Sequence, residues 1–221
     1  SGIKNFRCYT IGYISFISIF EKLIFGVFVF NQEIFLPDLK KYFWENSFNL
    51  DINKLERLAH FCSLLSMKNE EINLISRKDI ENVVENHIFI SSLISNYVPQ
   101  GCRRFLDIGT GGGLPGIPFA IINTMLRGVL VDSTQKKIDA VKEFIDKLKL
   151  GNVTAENFRV ESNEFIEKYS NSFDLVISRA TVPLIILLRY SLPLVKSKAY
   201  ILSLKGGDLS EELKTAETKY K

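Results

Sequence analysis

The sequence predicts an α/β protein built around a parallel β-sheet. Three observations support this fold class: short apolar runs alternate with amphipathic stretches, the connections between them are short, and a glycine-rich turn separates one apolar run from the next helix. Strands that alternate with helices in this way form parallel sheets with right-handed crossovers. With 221 residues, the chain has room for one such domain and an appendage.

Composition narrows the function without deciding it. The formal net charge of +3 is compatible with a nucleic-acid partner but does not require one. The three cysteines, Cys8, Cys62 and Cys102, lie far apart and lack the spacing of metal ligands, and the chain contains only two histidines. We therefore predict a reduced, cytoplasmic protein without a metal site.

Residues 1–50 differ in composition from the rest of the chain. Half of the aromatic residues lie there, and between residues 8 and 30 the only charged side chains are Glu21 and Lys22. Three interpretations stay open: an extension that packs at an interface or is poorly ordered, a membrane segment, or a start upstream of the true one. An acid–base pair in the middle is costly inside a bilayer, so the first is favoured over the second.

Residues 51–100 are predicted to form a helical segment ahead of the sheet. Residues 38–51, which follow Pro37, look hinge-like, so the folded unit is expected to begin near Asp51. Apolar residues then recur at helical spacing from residue 55 to 65, with Asp51 as the N-cap. A second helix is predicted over residues 78–96, with His87 on its apolar face as a hydrogen-bonded core residue.

The stretch 103–119 organises the remainder of the chain, residues 101–221. An apolar run at 105–108 ends in Gly109, Gly111, Gly113 and Gly116, and a new apolar run begins at Ile117. Glycine permits positive φ angles in a tight turn and lets a ligand approach the backbone. The start of the following helix presents N–H groups that have no partner within the helix. The pattern therefore predicts a strand, a turn and a helix with a ligand above the turn.

Two acidic residues indicate which ligand this is. Asp107 ends the first strand, and Asp132 ends the next apolar run, near the offset from Gly116 at which a carboxylate binds ribose hydroxyls in nucleotide-binding folds. Asp107 would repel the pyrophosphate of a dinucleotide, whereas it would attract the sulfonium and ammonium groups of S-adenosylmethionine. We predict S-adenosylmethionine as the cofactor, and a dinucleotide-binding oxidoreductase is the more distant alternative.

The rest of the chain continues the alternation. Helices are predicted over residues 117–126, 133–150, 184–192 and 208–221, and strands over residues 153–160, 173–178 and 199–204. Arg159 and Lys205 are expected to be exposed cations on a solvated face.

Several of these motifs resemble those of a known family. The runs Asp107-Ile-Gly-Thr-Gly-Gly-Gly-Leu-Pro-Gly-Ile-Pro, Val131-Asp132-Ser133 and Ile177-Ser178-Arg179-Ala180 are similar to motifs of the glucose-inhibited division protein B family. Its members are guanine-N7 methyltransferases of small-subunit ribosomal RNA. The resemblance extends from about residue 55 to about residue 206, and the Gly-Leu-Pro-Gly-Ile-Pro run is its most specific part.

The resemblance implies a fold, a cofactor and a substrate. The fold is a Rossmann-like S-adenosylmethionine-dependent methyltransferase fold, and the partner is 16S ribosomal RNA or the small ribosomal subunit. Arg159-Val160-Glu161 matches a family motif that lies beside the adenine. The residues predicted to hold the cofactor are Asp107, Gly109, Thr110, Gly111, Gly113, Leu114, Asp132, Ser133, Val160, Glu161 and Arg179.

The chain also departs from the family. Asn86 and Ile90 stand where the family usually has an arginine and an aspartate, and the last two strands of such a methyltransferase are absent. The core is therefore expected to be truncated at its C-terminus, with an uncovered sheet edge. These departures keep a second function open: a divergent, catalytically weak S-adenosylmethionine-binding protein that binds a partner through its N-terminus or its sheet edge.

Methyl transfer to guanine N7 requires little acid–base chemistry from the protein. The nucleophile is a lone pair that carries no proton, so catalysis depends on positioning rather than on a general base. We predict Arg179, at the end of the fourth strand, as the catalytic residue, because its fork of donors fits a phosphate or guanine O6. Its charge would be repelled by the sulfonium, so it is expected on the RNA side of the cofactor. The alternative is that it anchors the turn through a nearby carboxylate.

Overall fold

The computed structural model describes residues 32–179 and 182–219. Most of the apolar extension, Ala180, Thr181 and the last two residues of the chain lie outside these ranges. The described strands form one five-stranded sheet in the order β3-β2-β1-β4-β5, and every neighbouring pair is parallel. The strands are β1 Arg104–Ile108, β2 Arg127–Asp132, β3 Val153–Asn157, β4 Phe173–Arg179 and β5 Val195–Leu204. The predicted α/β fold class is confirmed.

The strand order determines where a ligand can bind. Strand β1 lies in the centre, with β2 and β3 on one side and β4 and β5 on the other. The chain therefore adds β2 and β3 on one side of β1, and the connection after β3 returns across the sheet to place β4 on the other side. In open α/β sheets the crevice beside such a switch point, at the carboxyl ends of the strands, is the usual ligand site.

Helices cover both faces of the sheet. They are α1 Gln32–Glu45, α2 Ile52–Glu71, α3 Ile90–Leu93, α4 Gly116–Ile122, α5 Gln135–Lys147, α6 Asn163–Tyr169, α7 Leu184–Ser191 and α8 Ser210–Lys219. One core contains Phe105 and Leu130 of the sheet and buried residues of α1, α2, α4 and α5. The other contains Leu106 and Val129, which point to the opposite face, and buried residues of α6 and α7. This alternation is the period-two pattern of strands that are buried on both faces.

The hinge predicted over residues 38–51 is wrong in its first part, because helix α1 continues through it to Glu45. The helix continues to Glu45 and tolerates Pro37, although proline has no N–H to donate to the preceding turn. Leu39 and Phe43 are almost completely buried, and this burial favours the helix in spite of the lost hydrogen bond. Asp51 caps α2 as predicted, because its side chain accepts a 2.9 Å hydrogen bond from the N–H of Lys54.

The single helix predicted over residues 78–96 is wrong in detail. A 3₁₀-helix, Arg77–Asn82, precedes a π-helix, Val84–Phe89; α3 and a second 3₁₀-helix, Ile94–Tyr97, follow. Helix α1 packs on the π-helix: Tyr42 Oη donates a 2.7 Å hydrogen bond to Glu85 Oε2, and the rings of Phe43 and Phe89 meet edge to face at 5.2 Å. Short π-helices often occur at functional sites.

Asp174 joins three strands at the amino edge of the sheet. Its Oδ1 accepts 2.9 Å hydrogen bonds from the N–H groups of Arg103 and Arg104 at the start of β1, and its Oδ2 lies 3.0 Å from Lys196 Nζ of β5. Burial alone would raise the pKa of Asp174, but these donors hold it below its usual range. Arg104 in turn lies over the ring of Phe173, 5.1 Å from its centroid. This edge is closed by protein contacts, whereas the opposite edge carries the glycine turn.

Candidate functional site

The glycine turn joins the carboxyl ends of β1 and β2. The N–H groups of Gly109 and Thr110 both donate to the carbonyl of Val131, at 2.9 and 3.0 Å. Gly109, Gly111 and Gly113 have φ angles of 71°, 54° and 89°, as the sequence predicted for this turn. Side chains with a Cβ rarely adopt such angles, so glycine is required here for the backbone path itself.

The glycines in and after this turn differ in what surrounds them. A Cβ at Gly113 would lie 2.5 Å from Ile117 Cδ1, and one at Gly116 would lie 2.5 Å from Asp107 Oδ2. A Cβ at Gly111 would meet nothing within 4 Å. Gly113 and Gly116 therefore permit close internal packing, whereas Gly111 faces open space above the strand ends, where a ligand can approach the backbone.

Asp132 is held in one orientation at the end of β2. Its Oδ2 accepts a 3.0 Å hydrogen bond from the N–H of Gly111, and its Oδ1 accepts a 2.9 Å bond from the N–H of Thr134. Its carbonyl accepts a bond from Asn157 Nδ2 at 3.0 Å. Each carboxylate oxygen can accept a further donor, because a carboxylate has about four lone-pair positions. The arrangement suits a pair of neighbouring hydroxyl groups.

Asp107 is completely buried beneath the turn. Its Oδ2 accepts a 2.9 Å hydrogen bond from the N–H of Gly116, but its Oδ1 and the hydroxyl of Thr110 have no hydrogen-bond partner among the described residues. Burial raises the pKa of Asp107 to about 7, against the opposing effects of the nearby Thr110 hydroxyl, which does not meet the geometry of a hydrogen bond, of the Gly116 N–H and of the Arg179 guanidinium. A cationic ligand group nearby would favour the ionised carboxylate through its charge. These two residues therefore fit a ligand that carries an ammonium group.

The remaining residues predicted to hold the cofactor occupy different environments. The chain after β3 passes beside Asp132, since the N–H of Phe158 donates to the Asp132 carbonyl at 3.2 Å. Val160 is buried there, and Glu161 is exposed at 3.6 Å from Arg159 Nη1. Ser133 is exposed at the end of β2. Leu114 is buried in the core under the turn, so its side chain contributes to packing.

Arg179 contacts a partner that the sequence did not indicate. It lies at the end of β4, and its guanidinium is mostly buried. Nη1 donates to the carbonyl of Asn86 at 3.4 Å, and Nη2 lies 2.9 Å from His87 Nδ1. The predicted alternative, an anchor through a neighbouring carboxylate, is not what the described contacts show. The resemblance around Asn86-His87 was the one signal that could have suggested this contact.

His87 is buried as predicted but faces charged groups rather than an apolar core. Its Nε2 lies 3.6 Å from Asp79 Oδ2, beyond hydrogen-bonding distance. Burial and the charge of Arg179 lower the pKa of His87 to about 4, although Asp79 acts in the opposite direction. The imidazole is therefore neutral at physiological pH. Because arginine can only donate, Nδ1 is the acceptor and the ring proton resides on Nε2.

Lys205 was expected on a solvated face, and this expectation is wrong. Its Nζ lies 2.6 Å from Glu212 Oε1 of α8 and 2.9 Å from the carbonyl of Val182, with 14% of its side chain exposed. The same Glu212 oxygen accepts a hydrogen bond from the N–H of Leu184 at the start of α7. Lys205 thus stabilises the fold around β5, whereas Arg159 is exposed as expected.

The described part of the chain contains neither a cluster of potential metal ligands nor a membrane-spanning helix. Within it, no group of three or more histidine, cysteine, aspartate or glutamate side chains is arranged to hold a metal ion. No helix in the same ranges is long and apolar enough to cross a bilayer.

Comparison with known proteins gives a consistent family match. A family model described as rRNA small subunit methyltransferase G (GidB) matches residues 54–221. The ribosomal RNA small subunit methyltransferase G of Chlorobium chlorochromatii is 43% identical over 171 residues, which cover 77% of this chain and 71% of that protein. The protein of the same name from Chlorobium luteolum is 44% identical over 169 residues, covering 76% and 68%. The one from Thermoanaerobacter sp. is 33% identical over 169 residues, covering 76% and 70%.

A solved structure shares the fold. An O-methyltransferase from Bacillus cereus in complex with SAH superposes with a TM-score of 0.50 at 20% identity, covering 75% of this chain and 71% of that one. At this identity the likeness concerns the fold alone. Residues before 54, and with them helix α1, lie outside the family match.

Proposed function

Since the chain belongs to the rRNA small subunit methyltransferase G (GidB) family, we propose that it transfers a methyl group from S-adenosylmethionine to guanine N7 of 16S ribosomal RNA. The family predicted from the glycine turn is confirmed, and with it the enzyme class. The proposal assigns the cofactor to the crevice above β1 and β2 and the RNA to the side of Arg179.

The observation that carries this proposal is the pair of acids on either side of the glycine turn. Asp132, oriented by the Gly111 and Thr134 N–H groups, accepts the ribose hydroxyls. Asp107, with an unsatisfied buried oxygen, faces the ammonium of the amino-acid part together with Thr110. Gly111 lets the ligand approach the backbone between them. The arrangement disfavours a dinucleotide, because pyrophosphate would be repelled by the ionised form of Asp107 and has no cationic partner in the turn.

The chemistry assigned to the protein is positioning. Bound S-adenosylmethionine supplies an electrophilic methyl carbon; the N7 lone pair forms the new C–N bond while the electron pair of the C–S bond leaves with sulfur. The reaction needs no acid–base pair, because the N7 lone pair carries no proton. Arg179 orients the RNA through phosphate or guanine O6. Holding the two reactants in line can lower the activation barrier by about 7 kcal/mol or more.

The departures at Asn86 and Ile90 do not remove the contacts of Arg179. Asn86 uses its backbone carbonyl, which any residue at this position provides, and His87 keeps the second contact. This supports the enzyme over the alternative of a protein that binds the cofactor without transferring its methyl group.

The partner and the location follow from the proposed reaction. We propose that the substrate is the small ribosomal subunit or its RNA, and that the protein acts in the cytoplasm, where these are found. Membrane contact through the apolar N-terminal residues is not favoured. Residues 1–50, 51–100 and 101–221 are proposed as an extension, a helical segment and the methyltransferase core.

The proposal is tested by incubating the protein with radiolabelled S-adenosylmethionine and small ribosomal subunits that lack the modification. Label in 16S RNA, located to guanine N7 by cleavage at the modified base, is the expected result. Free RNA in a parallel reaction tells whether the intact subunit is needed. Cofactor binding by calorimetry without any transfer would contradict the enzyme, and tighter binding of NAD than of S-adenosylmethionine would contradict the cofactor.

A further inference from the structure

The guanidinium of Arg179 is held at two points by the π-helix Val84–Phe89. The Asn86 carbonyl accepts from Nη1 and His87 Nδ1 accepts from Nη2, so both terminal nitrogens have a fixed partner. Two contacts from different nitrogens fix the plane of the fork as well as its position. The other N–H groups of the guanidinium remain directed away from these partners.

The partners that hold Arg179 are neutral. A carboxylate at the position of the imidazole would form a bidentate ion pair and cancel much of the positive charge. The imidazole instead accepts one hydrogen bond and leaves the guanidinium with its full charge. Burial lowers the pKa of Arg179, and the charges of Asp107 and Asp79 offset this only through space. The site thus holds a partly desolvated cation whose two described hydrogen-bond partners are a carbonyl and an imidazole, and RNA supplies a negative charge that could pair with it directly.

We infer that His87 is the positioning residue for Arg179: its Nδ1 fixes the guanidinium in the orientation that contacts RNA, and it does so without neutralising the charge. Asp79 faces the opposite nitrogen at 3.6 Å and favours the tautomer with the proton on Nε2, which leaves Nδ1 as the acceptor. The charged groups that face the imidazole are therefore Arg179 from β4 and Asp79 from the 3₁₀-helix Arg77–Asn82. This inference rests on the proposed role of Arg179 toward RNA.

The acceptor at Nδ1 can be preserved or removed by substitution. His87→Asn places an amide oxygen close to the position of Nδ1, whereas His87→Leu retains volume but has no acceptor. His87→Asp supplies an acceptor that also carries a neutralising charge. The second histidine of the chain, His60 of α2, provides a matched control, because it lies in a different helix and contacts none of these groups.

The test measures methyl transfer to small ribosomal subunits and, separately, cofactor affinity. His87→Leu is expected to lower kcat/KM for the subunit by roughly tenfold to a hundredfold, while cofactor affinity changes by less than about threefold. His87→Asn should recover most of the activity, His87→Asp should not, and His60→Asn should match the unchanged protein. A folded His87→Leu protein with full activity, or a His87→Asn protein as impaired as His87→Leu, would overturn the inference.

A second measurement does not depend on methyl transfer. Nitrogen-15 NMR of the imidazoles should show His87 neutral, with the proton on Nε2, down to about pH 5, since its pKa is about 4. Replacing Arg179 by alanine should raise the His87 pKa and mix the tautomers. A His87 that titrates near its usual pKa in the unchanged protein would overturn the inference even if His87→Leu fails to fold. If the unchanged protein binds the cofactor but transfers no methyl group, whereas the NMR result is as expected, the proposed function fails and the His87–Arg179 contact stands.

Discussion

Asp132 Oδ2 and the N–H of Gly111 form a 3.0 Å hydrogen bond that joins the end of β2 to the glycine turn after β1. The same carboxylate that is proposed to bind the ribose therefore also fixes the turn that is proposed to face the amino-acid part of the cofactor. One side chain therefore contributes to both halves of the proposed cofactor site.

Asp132→Ala is expected to weaken S-adenosylmethionine binding. The loss of charge-assisted hydrogen bonds to two hydroxyls should cost roughly 1.5 to 3 kcal/mol, or about tenfold to a hundredfold in affinity. Isothermal titration calorimetry measures this, with circular dichroism as the check of folding. Asp139→Ala, which replaces an exposed aspartate of α5, is the matched control. Unchanged affinity in a folded Asp132→Ala protein would remove Asp132 from the cofactor site.

Asp107 should make the cofactor-free protein less stable as the pH rises from about 5 to 7. The folded state holds a proton on Asp107 up to a pKa of about 7, whereas the unfolded chain releases it near 3.8. Over this interval the unfolded state binds fewer protons, so the free energy of unfolding falls, by at most about 1.4 kcal/mol per pH unit. Urea unfolding is measured for the unchanged protein and for Asp107→Asn, in which the titrating carboxyl group is absent. Equal pH slopes for the two proteins would contradict the raised pKa.

The same carboxyl should link cofactor binding to proton release. An ammonium group beside Asp107 favours its ionised form, so binding near pH 6.5 should release up to about one proton and tighten as the pH rises. Calorimetry in buffers of different ionisation enthalpy counts the protons. Asp107→Asn should bind with little dependence on pH. A proton count of zero in the unchanged protein would place the ammonium elsewhere.

Arg179→Ala should separate RNA recognition from cofactor binding. Cofactor affinity is expected to stay within about threefold, while transfer to ribosomal RNA falls by about a hundredfold or more, because a positioning contact is felt in the transition state. Arg179→Lys should rescue poorly, since an ammonium cannot engage Asn86 and His87 as a planar fork does. Arg189→Ala on α7, which removes an exposed arginine, serves as the control. Loss of cofactor affinity in a folded Arg179→Ala protein would assign the residue to the cofactor instead.

The contact between Tyr42 and Glu85 should couple helix α1 to the π-helix. Tyr42→Phe removes the 2.7 Å hydrogen bond but keeps the ring, and is expected to lower the free energy of unfolding by about 1 to 2 kcal/mol. The double variant Tyr42→Phe, Glu85→Ala should be less destabilised than the sum of the two single variants. Urea unfolding measures all three, and Tyr97→Phe, at a tyrosine that is 69% exposed, is the control. Simple additivity would mean that the two side chains do not interact in solution.

The strands and the glycine turn could be predicted from the sequence because their signals are local. Gly109, Gly111 and Gly113 adopt positive φ angles for reasons of backbone sterics, which act within one turn. Asp107 and Asp132 each end an apolar run, and parallel strands bring such ends to one edge of the sheet. The partner of Arg179 had no local signal, because His87 lies 92 residues earlier in the chain. Periodicity indicated only that this histidine is buried.

The helical elements before the sheet show a second limit. Pro37 and the residues after it suggested a hinge, yet the burial of Leu39 and Phe43 keeps α1 helical as far as Glu45. The π-helix Val84–Phe89 has only 6 residues, and over so short a stretch its apolar spacing cannot be told from that of an α-helix. In both places the tertiary packing decides the outcome, and local propensity is a weaker influence.

The burial of Lys205, after the last strand, also depends on tertiary packing, because its partner Glu212 belongs to helix α8, which folds back after β5.

Asp174 lies at the edge of the sheet opposite to the proposed cofactor site, where it holds the starts of β1 and β5 to β4. A substitution there changes none of the residues that are proposed to contact the ligands, so those molecules that fold should stay active. Its effect in a growing cell would therefore be a shortage of protein, with ribosomes left incompletely modified in proportion to the molecules lost to proteolysis. Overexpression would restore the modification, whereas an Arg179→Ala enzyme, whose transfer is expected to fall by about a hundredfold or more, would need a correspondingly larger increase in amount.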